Sequence, residues 1–478
     1  MLRRTKIVAT VGPATDSPAV LEDVIRRGTD VVRINFSHGD ATAQRRRVAQ
    51  VREVSARVGK HVAVLGDLQG PKIRIEGFAE GKAILREGEP FTLDVDLPPH
   101  DGTDLAVGIT YHDLPSDVRA GDELVLGDGQ IELEVVGVEA TRVLCRVTTG
   151  GELTDHKGIN RRGGGLSAKA LTDKDREDVK LAAELDVDYL AVSFVRSAAD
   201  VEDARTLLRA AGGQGLIVAK IERSEAIPRL EEITKAADAV MVARGDLGVE
   251  VGYAKLTGLQ KRILLTARNL DRVTITATQM MESMIHSPVP TRAEVSDVAN
   301  AVLDGTDAVM LSGESAVGKY PARAVEAMAE VIEGAETYQL ARTRGRERLE
   351  GRFDHTDQAI ARAVMYTANH MDVEAIVALT ESGSTPRWMS RIRSDIPIFA
   401  FTRHLRTQRR VALYRGVYPI PFDIPDTNTD PATLYRAISR ELVTRRFAAP
   451  GETLILTMGE LSGVSGGTNT MKILEVAP

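Results

Sequence analysis

Residues 216–222 read LIVAKIE and residues 239–248 read AVMVARGDLG, and these two runs predict the fold. Each run is apolar until its carboxyl end, which is typical of a strand buried on both faces of a parallel sheet. The polar ends are Lys220 and Glu222 in the first run and Arg244, Gly245 and Asp246 in the second. Because α/β barrels build their sites at these strand ends, the clustered cations and carboxylates indicate a metal-assisted reaction of an anionic substrate.

Eight such β-type runs occupy the first two thirds of the chain. They are Ile7–Thr10, Val31–Ile34, Val62–Leu65, Tyr189–Ser193, Leu216–Lys220, Ala239–Val242, Val273–Thr276 and Ala308–Leu311. Amphipathic helical stretches lie between most of them, including Val48–Val58, Arg176–Leu185 and Val201–Ala211. This alternation predicts an α/β fold with a closed (β/α)8 TIM barrel. Thr172 with Asp175 and Thr291 with Glu294 have the spacing of capping boxes.

A long all-β segment, Pro71–Ala170, interrupts the alternation after the third strand. It contains the runs FTLDV, DELVLG, QIELEVV and RVLCRVT, separated by Gly and Asp turns. Since it leaves the barrel at a strand end, we expect it to lie above the active face as a lid that closes over substrate.

A second boundary is predicted at the charged run RTRGRERLEGR. The strand-like runs EAIVALTES and TLILTMGE follow it and indicate a C-terminal open α/β domain. The predicted domains are 1–70 and 171–345 for the barrel, 71–170 for the lid and 346–478 for the C-terminal domain.

Composition narrows the possible functions. The 478-residue chain has a net charge of -7, 4% aromatic residues and one cysteine. The acidic balance and scarce aromatics argue against a nucleic-acid partner. Lone Cys145 cannot form an intramolecular disulfide, so a reducing, cytoplasmic location is expected. No run approaches the roughly 20 apolar residues that span a bilayer, so no membrane partner is expected.

Polar residues follow seven consecutive predicted strands. They are Arg33, Asn35, Ser37, Asp67, Ser193, Lys220, Glu222, Asp246, Thr278 and Ser312. One such residue is usually a helix cap, but seven strands that deliver polar groups to one mouth favour a site.

Glu222 and Asp246 are hard oxygen donors on neighbouring strands and suit Mg²⁺, with ion-paired rim acids as the alternative. Lys220 lies two residues before Glu222, so in a strand the two side chains point to the same face. A purely structural Lys–Glu bridge is the alternative. We disfavour it because Arg33 and Arg244 would then add positive charge without compensation.

The sequence resembles the pyruvate kinase family. The matching runs, in family order, are KIVATVGPAT, VVRINFSHG, LGDLQGPKIR, KIE, VMVARGDLGVE, ATQMMESM, PTRAEVSDVANAVLDG and DAVMLSGESAVGKYP. The resemblance implies the glycolytic transfer of a phosphoryl group from phosphoenolpyruvate to ADP, giving pyruvate and ATP. It also implies a homotetramer.

The resemblance carries residue roles onto this chain. It implies that Glu222 and Asp246 hold Mg²⁺, with Mn²⁺ as an alternative ion, and that Lys220 stabilises the phosphoryl group. Arg33 and Arg74 would contact phosphate, and Thr278 with Ser312 would support a proton relay to the enolate. The implied substrate contacts are Arg33, Lys220, Arg244, Gly245, Asp246 and Thr278. The implied nucleotide contacts are His38, Arg74 and Lys174, of which His38 and Lys174 also fit ordinary surface residues.

Lys72 departs from the family pattern, because potassium-dependent members have glutamate there. In those members a monovalent cation lies near the positions of Asn35, Ser37 and Asp67. The hypothesis is that the Lys72 ammonium replaces that cation, so that K⁺ is not required. A solvated hinge lysine is the alternative. At a second departure, Val317 replaces a lysine of some relatives, and the role of Lys319 stays open.

The run TESGST resembles the family's effector loop. Its candidate contacts are Thr380, Ser382, Gly383, Ser384 and Thr385, which would bind a phosphorylated metabolite such as a sugar phosphate or nucleotide. A strand-to-helix cap explains the same residues nearly as well.

Two other functions remain open at this point. One is a metal-dependent aldolase or lyase barrel, and the other is a metabolite sensor that has lost catalysis.

Overall fold

The computed structural model describes residues 2–340, 353–423, 430–459 and 466–477. The chain starts with three strands and two helices of a barrel. These are β1 (Lys6–Thr10), α1 (Pro18–Arg26), β2 (Val31–Asn35), α2 (Ala41–Val58) and β3 (Ala63–Asp67). Helix α2 begins seven residues before the predicted stretch, because the Asp40 side chain accepts the Ala43 N–H and caps it there.

The inserted segment is all-β apart from one short helix. Its elements are β4 (Lys82–Leu85), β5 (Pro90–Asp94), β6 (Ala106–Gly108), α3 (Leu114–Asp117), β7 (Glu123–Leu126), β8 (Ile131–Glu139), β9 (Arg142–Thr149), β10 (Gly151–Thr154) and β11 (Ile159–Arg161). A six-stranded sheet in the order β11-β7-β8-β9-β5-β6 and the pair β10-β4 enclose a separate apolar core.

The chain then returns to complete the barrel. The elements are α4 (Asp173–Glu184), β12 (Tyr189–Val192), α5 (Ala198–Ala210), β13 (Leu216–Ile221), α6 (Leu230–Ala236), β14 (Ala239–Ala243), α7 (Arg244–Val251), α8 (Tyr253–Asn269), β15 (Val273–Ala277), α9 (Arg292–Asp304), β16 (Ala308–Leu311), α10 (Gly313–Ala316) and α11 (Pro321–Leu340). Both predicted capping boxes are present, at Thr172 and at Thr291.

The barrel is closed by eight parallel strands in the order β1-β16-β15-β14-β13-β12-β3-β2. All eight predicted runs are strands, so the predicted fold class is confirmed. The strands are buried along nearly their whole length, and apolar side chains such as Val8, Leu65 and Met241 fill the barrel core. Polar groups at the carboxyl ends are therefore held by a rigid base.

The C-terminal region is an open α/β domain. Its elements are α12 (Thr356–Asn369), β17 (Ala375–Leu379), α13 (Ser384–Ser390), β18 (Ile398–Thr402), α14 (Leu405–Val411), β19 (Val417–Pro421), α15 (Pro431–Thr444), β20 (Thr453–Gly459) and β21 (Thr468–Glu475). Four strands are parallel and β21 is antiparallel, in the order β19-β18-β17-β20-β21. The predicted domain boundary at 345/346 lies outside the described residues. No described helix has the length and apolar character needed to cross a lipid bilayer.

Candidate active site

Arg33 and Asp67 form the first part of the site, at the ends of β2 and β3. Arg33 Nε donates to Asp67 Oδ2 at 2.6 Å, and a terminal nitrogen of Arg33 donates to Thr10 Oγ1 at 3.1 Å. Burial opposes ionisation of Asp67, but Lys220 and Arg33 together bring its pKa below the ordinary value. Two acceptors, Asp67 Oδ2 and Thr10 Oγ1, set the plane of the Arg33 guanidinium. The contact from Thr10 was not predicted from the sequence.

Lys220 lies at the centre of the cluster and makes three polar contacts. Its Nζ lies 2.6 Å from Ser193 Oγ, 2.9 Å from Glu222 Oε1 and 3.2 Å from Asp67 Oδ1. Burial disfavours the ammonium, yet the two carboxylates outweigh burial and raise the pKa of Lys220. Lys220 is therefore a fixed cation at neutral pH. Ser193, which carried no predicted role, in turn donates to the Leu68 carbonyl at 2.7 Å and positions this ammonium.

Glu222 and Asp246 supply the carboxylates predicted to hold a metal. Burial raises the pKa of Glu222, and the nearby Asp246 charge adds to the rise against the opposing Lys220 ammonium. Glu222 Oε2 accepts the Phe194 N–H at 2.8 Å, which the left-handed backbone of Phe194 (φ 55°) presents to it. Asp246 Oδ1 lies 3.4 Å from Lys72 Nζ.

This donor set fits Mg²⁺. Within the described ranges, no group of three or more His, Cys, Asp and Glu side chains is arranged to hold a metal ion by itself. Mg²⁺ commonly takes only one or two protein carboxylates and completes its octahedron with substrate oxygens and water. Each of the two carboxylates is paired here with an ammonium, Glu222 with Lys220 and Asp246 with Lys72. The pair therefore has the negative charge and oxygen donors that a divalent ion requires.

Arg244 holds the loop that follows β15. Its Nε donates to the Ala277 carbonyl at 3.1 Å, and one terminal nitrogen donates to the Thr278 carbonyl at 2.8 Å. The other terminal nitrogen pairs with Asp297 at 2.7 Å. Arg33 is paired as well, with Asp67. The argument that both arginines would lack compensating charge is therefore wrong, because Arg33 pairs with Asp67 at the end of the neighbouring strand β3 and Arg244 pairs with Asp297 on α9.

Thr278 is held in a strained backbone conformation. Its φ is 69° and that of Gln279 is 51°, in the left-handed region that non-glycine residues rarely occupy. Thr278 Oγ1 accepts the Gly245 N–H at 2.9 Å and donates to the Ala277 carbonyl at 2.7 Å. The predicted contribution of Gly245 is thus a backbone N–H that points at the Thr278 hydroxyl. Such strain is often found at functional sites.

Ser312 is fixed by a neighbour that the sequence reasoning missed. Glu314, fully buried, accepts the Ser312 N–H at 2.7 Å and the Met281 N–H at 3.1 Å. One carboxylate thereby joins the loops after β15 and β16. The run GES contained the signal, since a glutamate three residues beyond the end of a strand can receive backbone N–H groups. Lys319 is exposed.

The predicted nucleotide contacts belong to a positively charged area. Burial and the charges of Arg33, Arg74 and Lys72 lower the pKa of His38, which places these cations around it. Arg74 also donates to the His156 carbonyl of the inserted domain at 2.8 Å. Lys174 Nζ donates to the Phe36 carbonyl at 2.7 Å and pairs with Asp178 at 2.5 Å.

The inserted domain contacts loops at the carboxyl end of the barrel. Arg223 donates to the Leu166 carbonyl at 2.9 Å, and the Gly163 N–H donates to the Glu250 carbonyl at 3.0 Å. A pocket lies at this junction, and Lys72 is part of its lining. The inserted domain is thus placed to cover the site.

Comparison with known proteins decides among the candidate chemistries. The family model described as the pyruvate kinase barrel domain matches residues 2–325, and the model for the pyruvate kinase alpha/beta domain matches residues 358–474. The chain belongs to the pyruvate kinase family. It is a phosphotransferase, and its reaction uses phosphoenolpyruvate, ADP, pyruvate and ATP.

Relatives in this family match the chain nearly end to end. Pyruvate kinase II of Salmonella typhimurium is 51% identical over 99% of both chains. Pyruvate kinases of Buchnera aphidicola (subspecies Acyrthosiphon pisum) and Haemophilus influenzae are each 49% identical, over 99% and 96% of both chains. The match removes the alternatives of an aldolase or lyase barrel and of a sensor without catalysis.

The predicted effector loop, 380–385, joins β17 to α13. Thr380 Oγ1 accepts the Gly383 N–H at 2.9 Å, and Gly383 has the left-handed φ of 84°. The Thr385 hydroxyl lies 2.7 Å from that of Thr468 on β21. These internal bonds fit the strand-to-helix cap. Ser382 and Ser384 remain partly exposed.

Proposed function

We propose that Lys220, Glu222 and Asp246 form the centre at which this chain transfers the phosphoryl group of phosphoenolpyruvate to ADP. The observation that carries the proposal is the buried Lys220 ammonium, 2.9 Å from Glu222 and 3.2 Å from Asp67. Glu222 and Asp246 would hold Mg²⁺, which when bound neutralises charge on the phosphates. Their chemistry supports the assignment, because a Mg²⁺ ion held by two protein carboxylates keeps coordination positions for substrate oxygens and water.

The cations of the chain stabilise the charge that develops in transfer. Lys220 contacts the phosphoryl oxygens, and Arg33 with Arg74 binds them from the side of β2 and the inserted domain. Phosphoryl transfer relies on positioning and on preorganised positive charge more than on covalent catalysis. The raised pKa of Lys220 supports this role, since its ammonium persists throughout the neutral range. Arg33 is already oriented by Asp67 and Thr10.

The Thr278 hydroxyl positions a proton relay for the enolate formed after transfer, together with Ser312. An unperturbed Thr hydroxyl is too weak an acid to donate the proton alone. Its hydrogen bonds to Gly245 and Ala277 fix the Oγ1 atom, which supports a positioning role. Arg244 acts through this loop, since its guanidinium donates to the Thr278 carbonyl.

His38, Arg74 and Lys174 bind the nucleotide. The group of cations around His38 supports phosphate binding on this side of the site. When the Lys174 ammonium contacts a phosphate, it would give up its hydrogen bond to the Phe36 carbonyl or its ion pair with the Asp178 carboxylate.

Activity does not require K⁺, because Lys72 supplies the monovalent positive charge. The Lys72 ammonium lies near Asp246 at 3.4 Å and also lowers the pKa of His38. This differs from the sequence hypothesis, which placed the ammonium among Asn35, Ser37 and Asp67. Once Asp246 ligates a divalent ion, the Lys72 ammonium is available to the substrate phosphate.

A phosphorylated metabolite, a sugar phosphate or a nucleotide, binds the loop 380–385 and regulates a cytoplasmic homotetramer. The partial exposure of Ser382 and Ser384 supports the binding site. Isothermal titration with a sugar-phosphate and nucleotide panel tests it. Binding that Ser382→Asp weakens supports the effector site, whereas binding that the variant leaves unchanged contradicts it.

Steady-state assays with phosphoenolpyruvate, ADP and Mg²⁺, with and without K⁺, test the proposed catalytic function. We expect turnover that requires the divalent ion and changes by less than about 2-fold with K⁺ at constant ionic strength. A large rise in kcat on addition of K⁺ contradicts the role of Lys72. Absence of turnover under all these conditions contradicts the assigned centre.

A further inference from the structure

An arginine-rich pocket lies where the barrel meets the C-terminal domain. Gly305 and Asp307 precede β16, so the cavity is at the amino end of the barrel strands, opposite the active site. Its lining residues are Arg268, Gly305, Asp307, Ser390, Arg391, Ile392, Arg393 and Arg415. The barrel supplies the first three and the C-terminal domain supplies the others.

The only carboxylate in the lining is already engaged. Arg391 makes a two-pronged ion pair with Asp307, with one nitrogen 2.7 Å from Oδ2. Oδ2 of Asp307 also accepts the Thr274 N–H at 2.8 Å. Arg415 shares the nearby Glu336 with Arg4, at 3.9 and 3.6 Å. Both carboxylates are therefore already paired with other arginines, although the Asp307 charge still acts on Arg268 and opposes the lowering of its pKa.

Arg268 and Arg393 are those remaining arginines. Across the described part of the chain, the Arg268 guanidinium has no hydrogen-bond or ion-pair partner. The Arg393 side chain donates to the Leu303 carbonyl at 3.3 Å, and its buried Nε is unpartnered among the described residues.

The two guanidinium groups converge over Gly305. A Cβ at Gly305 would lie 3.2 Å from one nitrogen of Arg393 and 3.4 Å from one of Arg268. Burial lowers the pKa of Arg268, and the charges of Arg393 and Arg391 lower it further. The two guanidinium groups repel each other, and burial removes part of the water that would otherwise screen them. The chain without a bound anion therefore has a local excess of positive charge here. An anion between the two groups would remove the excess.

We propose that this cavity binds a phosphate dianion, held by Arg268 from the barrel and Arg393 from the C-terminal domain. The paired N–H donors of a guanidinium group match the oxygens of a phosphate group. Charge-assisted hydrogen bonds of this kind are stronger than hydrogen bonds between neutral groups. The source is inorganic phosphate or a small phosphate monoester. Because the two arginines belong to different domains, the bound phosphate also stabilises the domain junction. The site is separate from the loop 380–385, which lies at the other end of α13.

Calorimetric titration of the full chain tests the proposal. The protein is held at low ionic strength with Mg²⁺ and saturating phosphoenolpyruvate, without ADP, so that active-site cations are occupied. Inorganic phosphate and glycerol 2-phosphate are the probes. We expect the double variant Arg268→Gln, Arg393→Gln to weaken the Kd about 10-fold or more, because two charge-assisted contacts are lost. The matched control Arg436→Gln, on an exposed face of α15, leaves the Kd unchanged.

The two probes identify the source. Tighter binding of glycerol 2-phosphate identifies a monoester, and equal or tighter binding of inorganic phosphate identifies the free ion. A wild-type chain that binds neither probe, or a double variant with an unchanged Kd, overturns the proposal.

Thermal unfolding adds a second readout. Without phosphate, the double variant should be at least as stable as the wild type, because a repulsive pair is removed. Addition of phosphate should raise the Tm of the wild type more than it raises the Tm of the double variant. A double variant that is destabilised by several degrees without phosphate, and that gains as much from phosphate as the wild type, contradicts the proposed site.

Discussion

Lys220→Met removes the cation that connects the two halves of the catalytic centre. The ammonium contacts two carboxylates that are almost fully buried, Asp67 at 1% exposure and Glu222 at 3%. Breaking a buried ion pair from one side typically costs about 3–5 kcal/mol of unfolding free energy. Asp67 retains Arg33, whereas Glu222 retains only the Phe194 N–H among its resolved contacts. We therefore expect Lys220→Met to lower the unfolding free energy by about 3 kcal/mol, near the lower limit of that range.

Lys220→Met should affect turnover more strongly than it affects stability. Loss of a preorganised charge at a transition state lowers kcat by about 10²–10³-fold, and loss of a cation in phosphoryl transfer by about 10³-fold or more. We expect kcat of Lys220→Met to fall about 10³-fold with a smaller change in KM for phosphoenolpyruvate.

The assay combines steady-state turnover with denaturant unfolding in the presence and absence of Mg²⁺. A divalent ion that binds Glu222 compensates part of the lost positive charge, so Mg²⁺ should stabilise Lys220→Met more than it stabilises the wild type. Lys235→Met is the matched control, because Lys235 pairs with Glu231 on an exposed helix face. A variant that keeps kcat within about 3-fold of the wild type would refute the reasoning.

Three further predictions concern other parts of the site. Lys72→Glu should lower kcat without K⁺ and make it rise about 10-fold or more when K⁺ is added, because a carboxylate replaces the tethered cation; a K⁺ titration of both proteins that gives parallel curves contradicts this. Arg244→Lys should lower kcat about 10²-fold while Tm falls little, since a lysine cannot contact the Ala277 and Thr278 carbonyls and Asp297 together as the guanidinium does; equal kcat values in a turnover assay contradict this. Burial raises the pKa of Glu250 from 4.5 to about 7, so its stabilising contribution is complete below about pH 4.5 and is lost as the pH rises through 7. Between pH 4.5 and 8, the unfolding free energy of the wild type should fall by about 3 kcal/mol more than that of Glu250→Gln. An equal pH dependence of the unfolding free energy in the two proteins contradicts the raised pKa of Glu250.

The strands and their polar ends were predictable because both follow from local pattern. Buried parallel strands read as apolar runs, and a barrel brings all their carboxyl ends to one mouth. Lys220 and Glu222 are two residues apart, so strand geometry alone places both side chains on one face. Their contact at 2.9 Å agrees with this expectation.

The partners of the long cationic side chains could not be read in the same way. Arg244 extends to Asp297, 53 residues later, and Arg33 pairs with Asp67 on the adjacent strand, a pairing that a shared barrel mouth does not by itself specify. Lys72 reaches Asp246 through the orientation of the inserted domain. Such contacts depend on rotamers and on packing between elements, for which the chain has no periodic signal. The same holds for Arg268 and Arg393, which only the domain junction brings together.

Binding of Mn²⁺ measured by electron paramagnetic resonance, with phosphoenolpyruvate present, tests the central claim that Glu222 and Asp246 hold the catalytic divalent ion. The wild type should bind one tight Mn²⁺ per chain, which Mg²⁺ displaces. Glu222→Gln and Asp246→Asn should each weaken this binding about 10-fold or more, as loss of a charged ligand predicts, whereas Glu231→Gln should leave it unchanged. Undiminished Mn²⁺ affinity in both site variants would contradict the account.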